Sequence, residues 1–230
     1  AQRLREELAG LIGSDARLDE LRAELSKLRA DYDQAAGELS VARKKAALKL
    51  QQQTEAQLAE LAMEHCRLSV AMSPRASDDP HPLGREEVEL LISTNPGQEP
   101  RPLGKIASGG ELSRISLAIQ VVSASVNTVP SMIFDEVDVG IGGAVAEVVG
   151  CLLRDLASAS QILCVTHLPQ VAAQGHQHLR VTKTSDRKQA HADLQQLQPK
   201  QRVEEIARML GGIDITTKTR AAAKEMLAKS

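Results

Sequence analysis

The sequence predicts an α/β protein in which a parallel sheet with flanking helices follows a long coiled-coil arm. Three observations support this prediction. Leucine recurs every seven residues near the start of the chain, an alternating apolar pattern begins near residue 65, and two short apolar runs in the second half each end at polar residues. Heptads indicate coiled-coil helices. Short apolar runs between helical segments indicate buried parallel strands.

The first 62 residues are predicted to form the arm. One series of residues falls at seven-residue intervals: Leu4, Leu11, Leu18, Leu25, Tyr32 and Leu39. A second series lies three positions after its later members: Leu21, Leu28, Ala35 and Ala42. Such an a/d seam is typical of a helix wound against a partner helix. A single amphipathic helix on a globular core is the alternative that the pattern leaves open. We therefore divide the chain into an arm, 1–62, and a globular domain, 63–230.

The globular domain is predicted to begin with a β-hairpin. Apolar residues alternate with polar or small ones at 68–72 and again at 88–92, which is the strand pattern. The stretch 73–84 between them contains three prolines and predicts a loop. Farther along, helices are predicted at 141–156, 202–210 and 216–228, with edge strands at 179–183 and 192–197 around a turn at 185–187.

A glycine-rich loop, Ser108-Gly109-Gly110-Glu111, opens a helix that is predicted to run to about Val126. Backbone N–H groups at the N-terminus of a helix point outward without partners in the helix, and the helix dipole favours negative charge there. This loop can therefore hold a phosphate group.

Two predicted strands carry the other candidate site residues. The run 131–134, which we expect to be buried on both faces, ends in Asp135 and Glu136. The run 161–166 ends in His167. The carboxyl ends of parallel strands are where α/β sheets bind ligands. Carboxylates there can hold a magnesium-bound water and orient an attacking water, so the order of these motifs predicts nucleotide hydrolysis.

Composition limits the remaining possibilities. The net charge of −2 gives no overall attraction to nucleic acid. The three cysteines lack Cys-x-x-Cys spacing and predict buried, reduced thiols, without a zinc site or a disulfide framework.

No signal peptide or apolar run of membrane length is present, so we expect a cytoplasmic protein without a membrane partner. The chain begins in the middle of a heptad pattern without Met, and we expect it to be part of a longer protein.

Three motifs resemble the C-terminal half of an ABC-type ATPase head: Ser-Gly-Gly-Glu-Leu-Ser-Arg at 108–114, Ile-Phe-Asp-Glu-Val-Asp at 133–138 and Val-Thr-His-Leu-Pro-Gln-Val at 165–171. The subclass is the one with long coiled coils, which includes the SMC proteins. Within it, the RecN family of bacterial DNA repair proteins is similar at three further motifs, 94–97, 140–143 and 207–212. The resemblance covers roughly Leu61 to the C-terminus well, and the preceding part only as a coiled coil.

The resemblance implies a role for the residues at the strand ends. Asp135 would hold Mg²⁺ through water. Glu136 would polarise the water that attacks ATP. His167 would contact the γ-phosphate.

The resemblance also implies that two heads share each ATP. Ser108, Gly109, Gly110 and Glu111 would contact the ATP that is held by the opposite head. Asp138 would link the two sites across the dimer.

The sequence contains no phosphate loop of the form G-x-x-x-x-G-K-[ST], whose lysine neutralises nucleotide phosphates. ABC-type heads of this subclass carry that loop in an N-terminal lobe, ahead of the coiled coil. We therefore expect 1–62 to be the returning helix of an antiparallel coiled coil and 63–230 to be the C-terminal lobe of the head. By itself, the chain is expected to be inactive.

In the complete protein, the resemblance implies that ATP joins two heads and that hydrolysis parts them, in the service of DNA double-strand break repair and recombination. The expected partners are DNA, the N-terminal lobe and a second copy, through both heads and coiled coil. The expected location is the nucleoid in the cytoplasm. Two alternatives stay open: an SMC-type chromosome-organising ATPase, and a non-catalytic coiled-coil scaffold that keeps the ATPase fold for dimerisation only.

Overall fold

A computed structural model describes residues 2–106, 108–124, 129–186, 189–212 and 214–229. Three residues of the sequence-based predictions lie outside these ranges: Ala107 before the glycine-rich loop, Val126 at the predicted end of its helix, and Arg187 in the predicted turn.

The arm is one continuous helix, α1 (Gln2–Glu60). Its seam leucines are largely exposed to solvent: Leu18, Leu21, Leu25, Leu28 and Leu39. Exposing a row of leucines is unfavourable in water, since each buried aliphatic side chain contributes about 1.5–3 kcal/mol. The helical prediction is confirmed, and the exposed seam is suited to a partner helix.

We expect the isolated chain to associate with itself through the arm as its concentration rises, because the seam buries leucine only against another helix. Replacing Leu25 and Leu28 together by Gln should abolish the association. The matched control is Lys44→Gln, since Lys44 is exposed and lies off the seam. Sedimentation equilibrium over a range of concentrations measures the effect. A strict monomer with a fully helical arm would contradict this expectation.

The chain forms two compact units, and each unit is built from two separate segments of the sequence. One comprises 1–49 and 69–90, and the other comprises 50–68 and 91–230. The proposed boundary between an arm at 1–62 and a globular domain at 63–230 stays a prediction.

The predicted hairpin is confirmed as β1 (Arg67–Pro74) and β2 (Glu86–Ser93). A two-residue strand, β3 (Arg101–Pro102), extends the sheet to the order β1-β2-β3. Sequence reasoning missed β3, because two residues carry no periodicity.

The loop of the hairpin contacts α1 within the first unit. The Tyr32 hydroxyl accepts the His81 N–H at 3.1 Å, and Arg85 pairs with Asp33. Gly84 has a positive φ of 79°, and a Cβ there would lie 3.0 Å from Leu39 Cδ2. These contacts fix one segment of α1 to the hairpin.

The second unit contains the predicted parallel pair, β4 (Ser131–Phe134) and β5 (Gln161–Cys164). Their register runs from Ser131 opposite Gln161 to Phe134 opposite Cys164. The longest helices of this unit include α2 (Gly109–Val122) and α3 (Gly143–Leu156). Both contribute buried side chains to the same core as Phe134. The prediction of an α/β fold with a parallel sheet and flanking helices is confirmed.

The expectation that 131–134 would be buried on both faces is wrong for the described chain. Phe134 packs in the core, whereas Ile133 is 74% exposed. On the neighbouring strand and just after it, Leu163 and Val165 are 43% and 61% exposed. The helices cover one face of the pair, and no described residue buries Ile133 on the other.

The C-terminal part contains α4 (Pro169–Gln174), β6 (Leu179–Asp186), β7 (Gln189–Gln196), α5 (Pro199–Gly211) and α6 (Thr217–Ala228). The hairpin β6–β7 is longer than predicted, because Ser185 and Asp186 continue β6 and Asp186 lies opposite Gln189. The predicted turn at 185–187 is therefore wrong in its first two positions. Gly212 has a positive φ of 68° at the C-cap of α5, a backbone conformation in which glycine commonly ends a helix.

The cysteines are free thiols in three different environments. Cys66 is buried, Cys164 is half-buried, and Cys151 is exposed. Burial raises the pKa of Cys66 to about 11 and that of Cys164 to about 12. The prediction of buried thiols is therefore wrong for Cys151, which lies on an outward position of α3. None of the helices in the described part of the chain is long and apolar enough to span a membrane.

Candidate functional site at the ends of the parallel strands

Parallel pairing brings the predicted site residues to one edge of the sheet. Phe134 and Cys164 lie opposite each other at the ends of their strands, and the Val165 N–H continues the pairing with the Phe134 carbonyl at 2.9 Å. The acids after β4 and the histidine after β5 consequently leave the sheet at the same edge.

Asp135 and Glu136 occupy a tight turn. The Asp135 carboxylate is exposed, and its Oδ1 accepts the Glu136 N–H at 2.9 Å. Glu136 has a positive φ of 57°, a conformation that costs a non-glycine residue about 1–2 kcal/mol. The Val139 N–H closes the turn on the Glu136 carbonyl at 3.2 Å. The turn of 135–139, which we call the acid loop, therefore holds Glu136 in an uncommon backbone state.

The glycine-rich loop lies against the acid loop. Ser108 caps α2, with its Oγ accepting the Glu111 N–H at 3.4 Å. A Cβ at Gly110 would lie 3.1 Å from Val139 Cβ, and a Cβ at Gly109 would collide with the Glu136 carboxylate. Glycine at position 110 thus permits the close approach of α2 to the acid loop, whereas a side chain at position 109 would require the Glu136 carboxylate to move.

Sequence reasoning assigned no role to Ser113 and Arg114, which fasten α2 to the acid loop. The Ser113 hydroxyl donates to the Asp135 carbonyl at 2.7 Å. Arg114 Nη1 donates to the Val139 carbonyl at 2.7 Å, although Arg114 is buried. Burial lowers the pKa of the Arg114 guanidinium, and the Glu111 carboxylate opposes that shift. The helical spacing could have indicated both residues, since positions three and four after Gly110 share its face.

Asp138 is buried, at 2% exposure. Its Oδ2 accepts a hydrogen bond from the Thr166 hydroxyl and one from the His167 N–H at 3.1 Å. The ring Nδ1 of His167 lies 3.3 Å from the same oxygen. The structure thus brings Asp138 and His167 of one chain together. The role of Asp138 across a dimer stays a prediction.

The site is open to solvent. The His167 side chain is 70% exposed, and Ser108, Asp135 and Glu136 are also exposed. A shallow groove of about 290 Å³ lies between α2 and β4 and ends at Asp135. The arrangement offers N–H groups, two carboxylates and an imidazole on one surface, and the described residues form no walls around it that would enclose a small ligand.

Asp135, the residue that the sequence predicted to hold Mg²⁺, is an exposed carboxylate at this surface. No cluster of three or more His, Cys, Asp or Glu residues that could hold a metal is found among the described residues. Mg²⁺ is commonly bound by one or two carboxylates, with waters and substrate phosphates completing its shell. A single exposed carboxylate fits that mode of binding and does not fit a metal cage built only from protein.

Two solved SMC structures are similar to parts of this chain. A Smc head domain with a coiled coil and joint, derived from Pyrococcus yayanosii, has a TM-score of 0.49 and 18% identity, and covers 72% of this chain and 29% of that one. A structure from work on ATP-driven dimerization of SMC ATPases has a TM-score of 0.44 and 16% identity, and covers 75% of this chain and 98% of that one. At these values, neither likeness carries a conclusion about function.

Sequence comparison is more informative, although no protein-family model matches the chain. A DNA repair protein RecN from Xylella fastidiosa (strain 9a5c) is 48% identical over 225 residues, covering 98% of this chain and 40% of that protein. RecN from Vibrio cholerae is 45% identical over 228 residues, covering 98% and 41%. The chain thus spans about two fifths of the length of these relatives. Along nearly its whole length the chain is RecN-like, which confirms the resemblance that its motifs indicated.

Proposed function

We propose that this chain supplies the C-terminal lobe of the ATPase head of a RecN-like protein, which hydrolyses ATP during DNA double-strand break repair and recombination. The meeting of Asp135, Glu136 and His167 at one edge of the parallel pair carries this proposal. The names of the relatives, DNA repair protein RecN, support the biological setting.

Each residue at that edge has a distinct task in the proposed reaction. Asp135 would hold Mg²⁺ through water, and the ion would neutralise phosphate charge when bound. Glu136 would accept a proton from the attacking water, as a general base. His167 has its Nδ1 beside Asp138, which leaves Nε2 as the ring nitrogen available to the γ-phosphate.

We infer that the uncovered face of the parallel pair receives the N-terminal lobe that carries the phosphate loop. Ile133 and Leu163 lie opposite each other on the two strands, and both are exposed, as is Val165. Clusters of exposed apolar residues commonly mark a contact with another protein surface. The relatives are long enough to contain a second lobe. This lobe would supply the phosphate-loop lysine that the chain lacks.

Two heads would share each ATP. Ser108, Gly109 and Glu111 stand at the N-terminus of α2, where Ser108 and Gly109 are exposed. Gly110 is buried behind them and allows the helix to approach the acid loop. The exposed end of α2 would contact ATP that is held by the opposite head. The complete protein would associate with a second copy through heads and arms, and it would bind DNA. Its location at the nucleoid in the cytoplasm stays a prediction.

Two alternative functions, a chromosome-organising ATPase and a non-catalytic scaffold, explain these observations less well. A chromosome-organising SMC-type ATPase would use the same site, but the relatives that match most of this chain are named for DNA repair. A non-catalytic scaffold would have no need of an exposed acid pair beside a histidine. We therefore favour the repair ATPase.

Ser108→Arg in the complete protein tests the shared site. We expect ATP binding by a single head to stay within about threefold of wild type, because Ser108 would touch only the ATP of the partner head. ATP-driven head pairing should be lost, and hydrolysis should fall by about 100-fold or more, as when a transition-state donor is removed. Filter binding, sedimentation and phosphate release measure the three quantities.

Ser158→Arg is the matched control, since Ser158 is an exposed serine beyond the C-terminus of α3, before β5 begins. It should change none of the three quantities. Normal pairing and hydrolysis by Ser108→Arg would contradict the shared site.

A further inference from the structure

The Asp138 carboxylate is the most deeply buried acid beside the candidate site. A buried carboxylate is costly unless hydrogen bonds compensate for its lost hydration. Thr166 and His167, which follow β5, donate hydrogen bonds to this carboxylate. The side chain is therefore occupied within its own chain.

In the hydrogen bond between Thr166 and Asp138, the Thr166 hydroxyl is the donor. The Thr166 Oγ1 also accepts the Leu168 N–H at 3.0 Å. The hydroxyl hydrogen is thereby directed at the carboxylate. The Thr166 side chain thus joins the Asp138 carboxylate to the backbone N–H of Leu168.

Asp138 also orients the imidazole. Its Oδ2 lies 3.3 Å from Nδ1 and 3.1 Å from the backbone N–H of His167. A carboxylate next to one ring nitrogen keeps a proton on that nitrogen and fixes the plane of the ring. Because the remainder of the ring is exposed, Nε2 is then the nitrogen held toward an incoming ligand.

We propose that Asp138 is a positioning residue for His167 within the same head, where it sets the tautomer and direction of the ring that meets the γ-phosphate. This inference rests on the proposed ATPase function. It gives Asp138 a task inside one chain, and a task across the head dimer is the rival explanation.

A double-mutant cycle on the complete protein tests the proposal. We expect Asp138→Asn to lower kcat for ATP by about 10- to 100-fold, the range known for losing a residue that orients a metal-ligating histidine, with KM within about threefold. The double variant Asp138→Asn/His167→Ala should be no slower than His167→Ala alone, within about twofold, because Asp138 would act only through the ring.

The proposal would be overturned if the loss of kcat in the double variant equalled the product of the losses in the two single variants. An Asp138→Asn enzyme that regains wild-type kcat at high protein concentration would also overturn it, since that behaviour indicates a contact between heads. If Asp138→Asn fails to fold, Thr166→Val provides the same cycle, because it removes one donor to the carboxylate and keeps the side-chain shape. Thr166→Val should not lower kcat further when His167 is already Ala. A further loss of kcat in that double variant would overturn the proposal.

The two proposals fail in different ways. A wild-type protein that does not hydrolyse ATP removes the proposed function. A wild-type protein that hydrolyses ATP, is impaired by His167→Ala and gives multiplicative cycles retains that function and removes only the role of Asp138.

Discussion

Replacing Glu136 by Gln is expected to slow ATP hydrolysis by the complete protein by about 10²–10⁴-fold, while ATP binding stays near the wild-type level. The substitution keeps the size of the side chain and its place in the acid loop. It removes the carboxylate that would take a proton from the attacking water. The loss should therefore appear in the chemical step and not in the affinity.

No neighbouring carboxylate among the residues that the structure describes is placed to accept the proton in place of Glu136. The residue is held at a positive φ by the turn of the acid loop, and its carboxylate lies beside Gly109. Asp135 is the adjacent acid, but its Oδ1 is engaged by the Glu136 N–H. The described geometry thus offers no second carboxylate in the same place.

Single-turnover hydrolysis and equilibrium ATP binding measure the two effects separately. Glu147→Gln is the matched control, because Glu147 is an exposed glutamate on α3 and belongs to the same unit. It should leave both quantities unchanged. Undiminished single turnover by Glu136→Gln would remove Glu136 from the mechanism.

The sequence was most predictive where periodicity was strong. The strand 131–134 was predicted to the residue, and the helical arm was predicted to within two residues of its end. Both are local patterns: a run of apolar residues bounded by turn signals, and a heptad repeat. The parallel pairing of β4 and β5 was also predictable, because strands that alternate with helices favour that topology.

The hydrogen bonds that shape the site were not predictable. Arg114 meets the Val139 carbonyl across 25 positions of sequence, and Asp138 meets Thr166 across 28. Such contacts depend on how α2 and β5 approach the acid loop in three dimensions. A buried Asp or Arg also resembles an exposed one in sequence, because the residue type does not reveal its partner.

The end of the β6–β7 hairpin was misjudged for a related reason. Ser185 and Asp186 are typical turn residues, yet both extend β6. Cross-strand register decides where a polar hairpin reverses, and the register is set by its apolar pairs farther down, such as Val181 opposite Leu194. Local composition therefore placed the turn too early.

The isolated chain is expected to bind ATP negligibly, because in the proposed head it supplies only part of the site. The N-terminus of α2 offers N–H groups near Ser108, and such a helix end contributes about 0.3–2 kcal/mol to the binding of an anion. A micromolar site requires about 8 kcal/mol. The sequence offers no phosphate-loop lysine, and the exposed carboxylates of Asp135 and Glu136 would repel phosphate in the absence of a cation.

Supplying the rest of the head should create the site. A complementary segment that carries the phosphate loop would cover the exposed face at Ile133 and Leu163 and add the missing cation. ATP binding should then appear only when both segments are present. A variant of this chain with Ile133→Asp should fail to recruit the segment, because a charge would be buried in the contact.

Titration calorimetry with ATP and Mg²⁺ tests this central claim most directly, on the 230-residue chain alone and then on the chain joined to its N-terminal segment. The expected result is no measurable heat of binding for the chain alone and a clear isotherm for the joined protein. A micromolar isotherm from the chain alone would contradict the account, because the nucleotide site would then lie elsewhere in these residues.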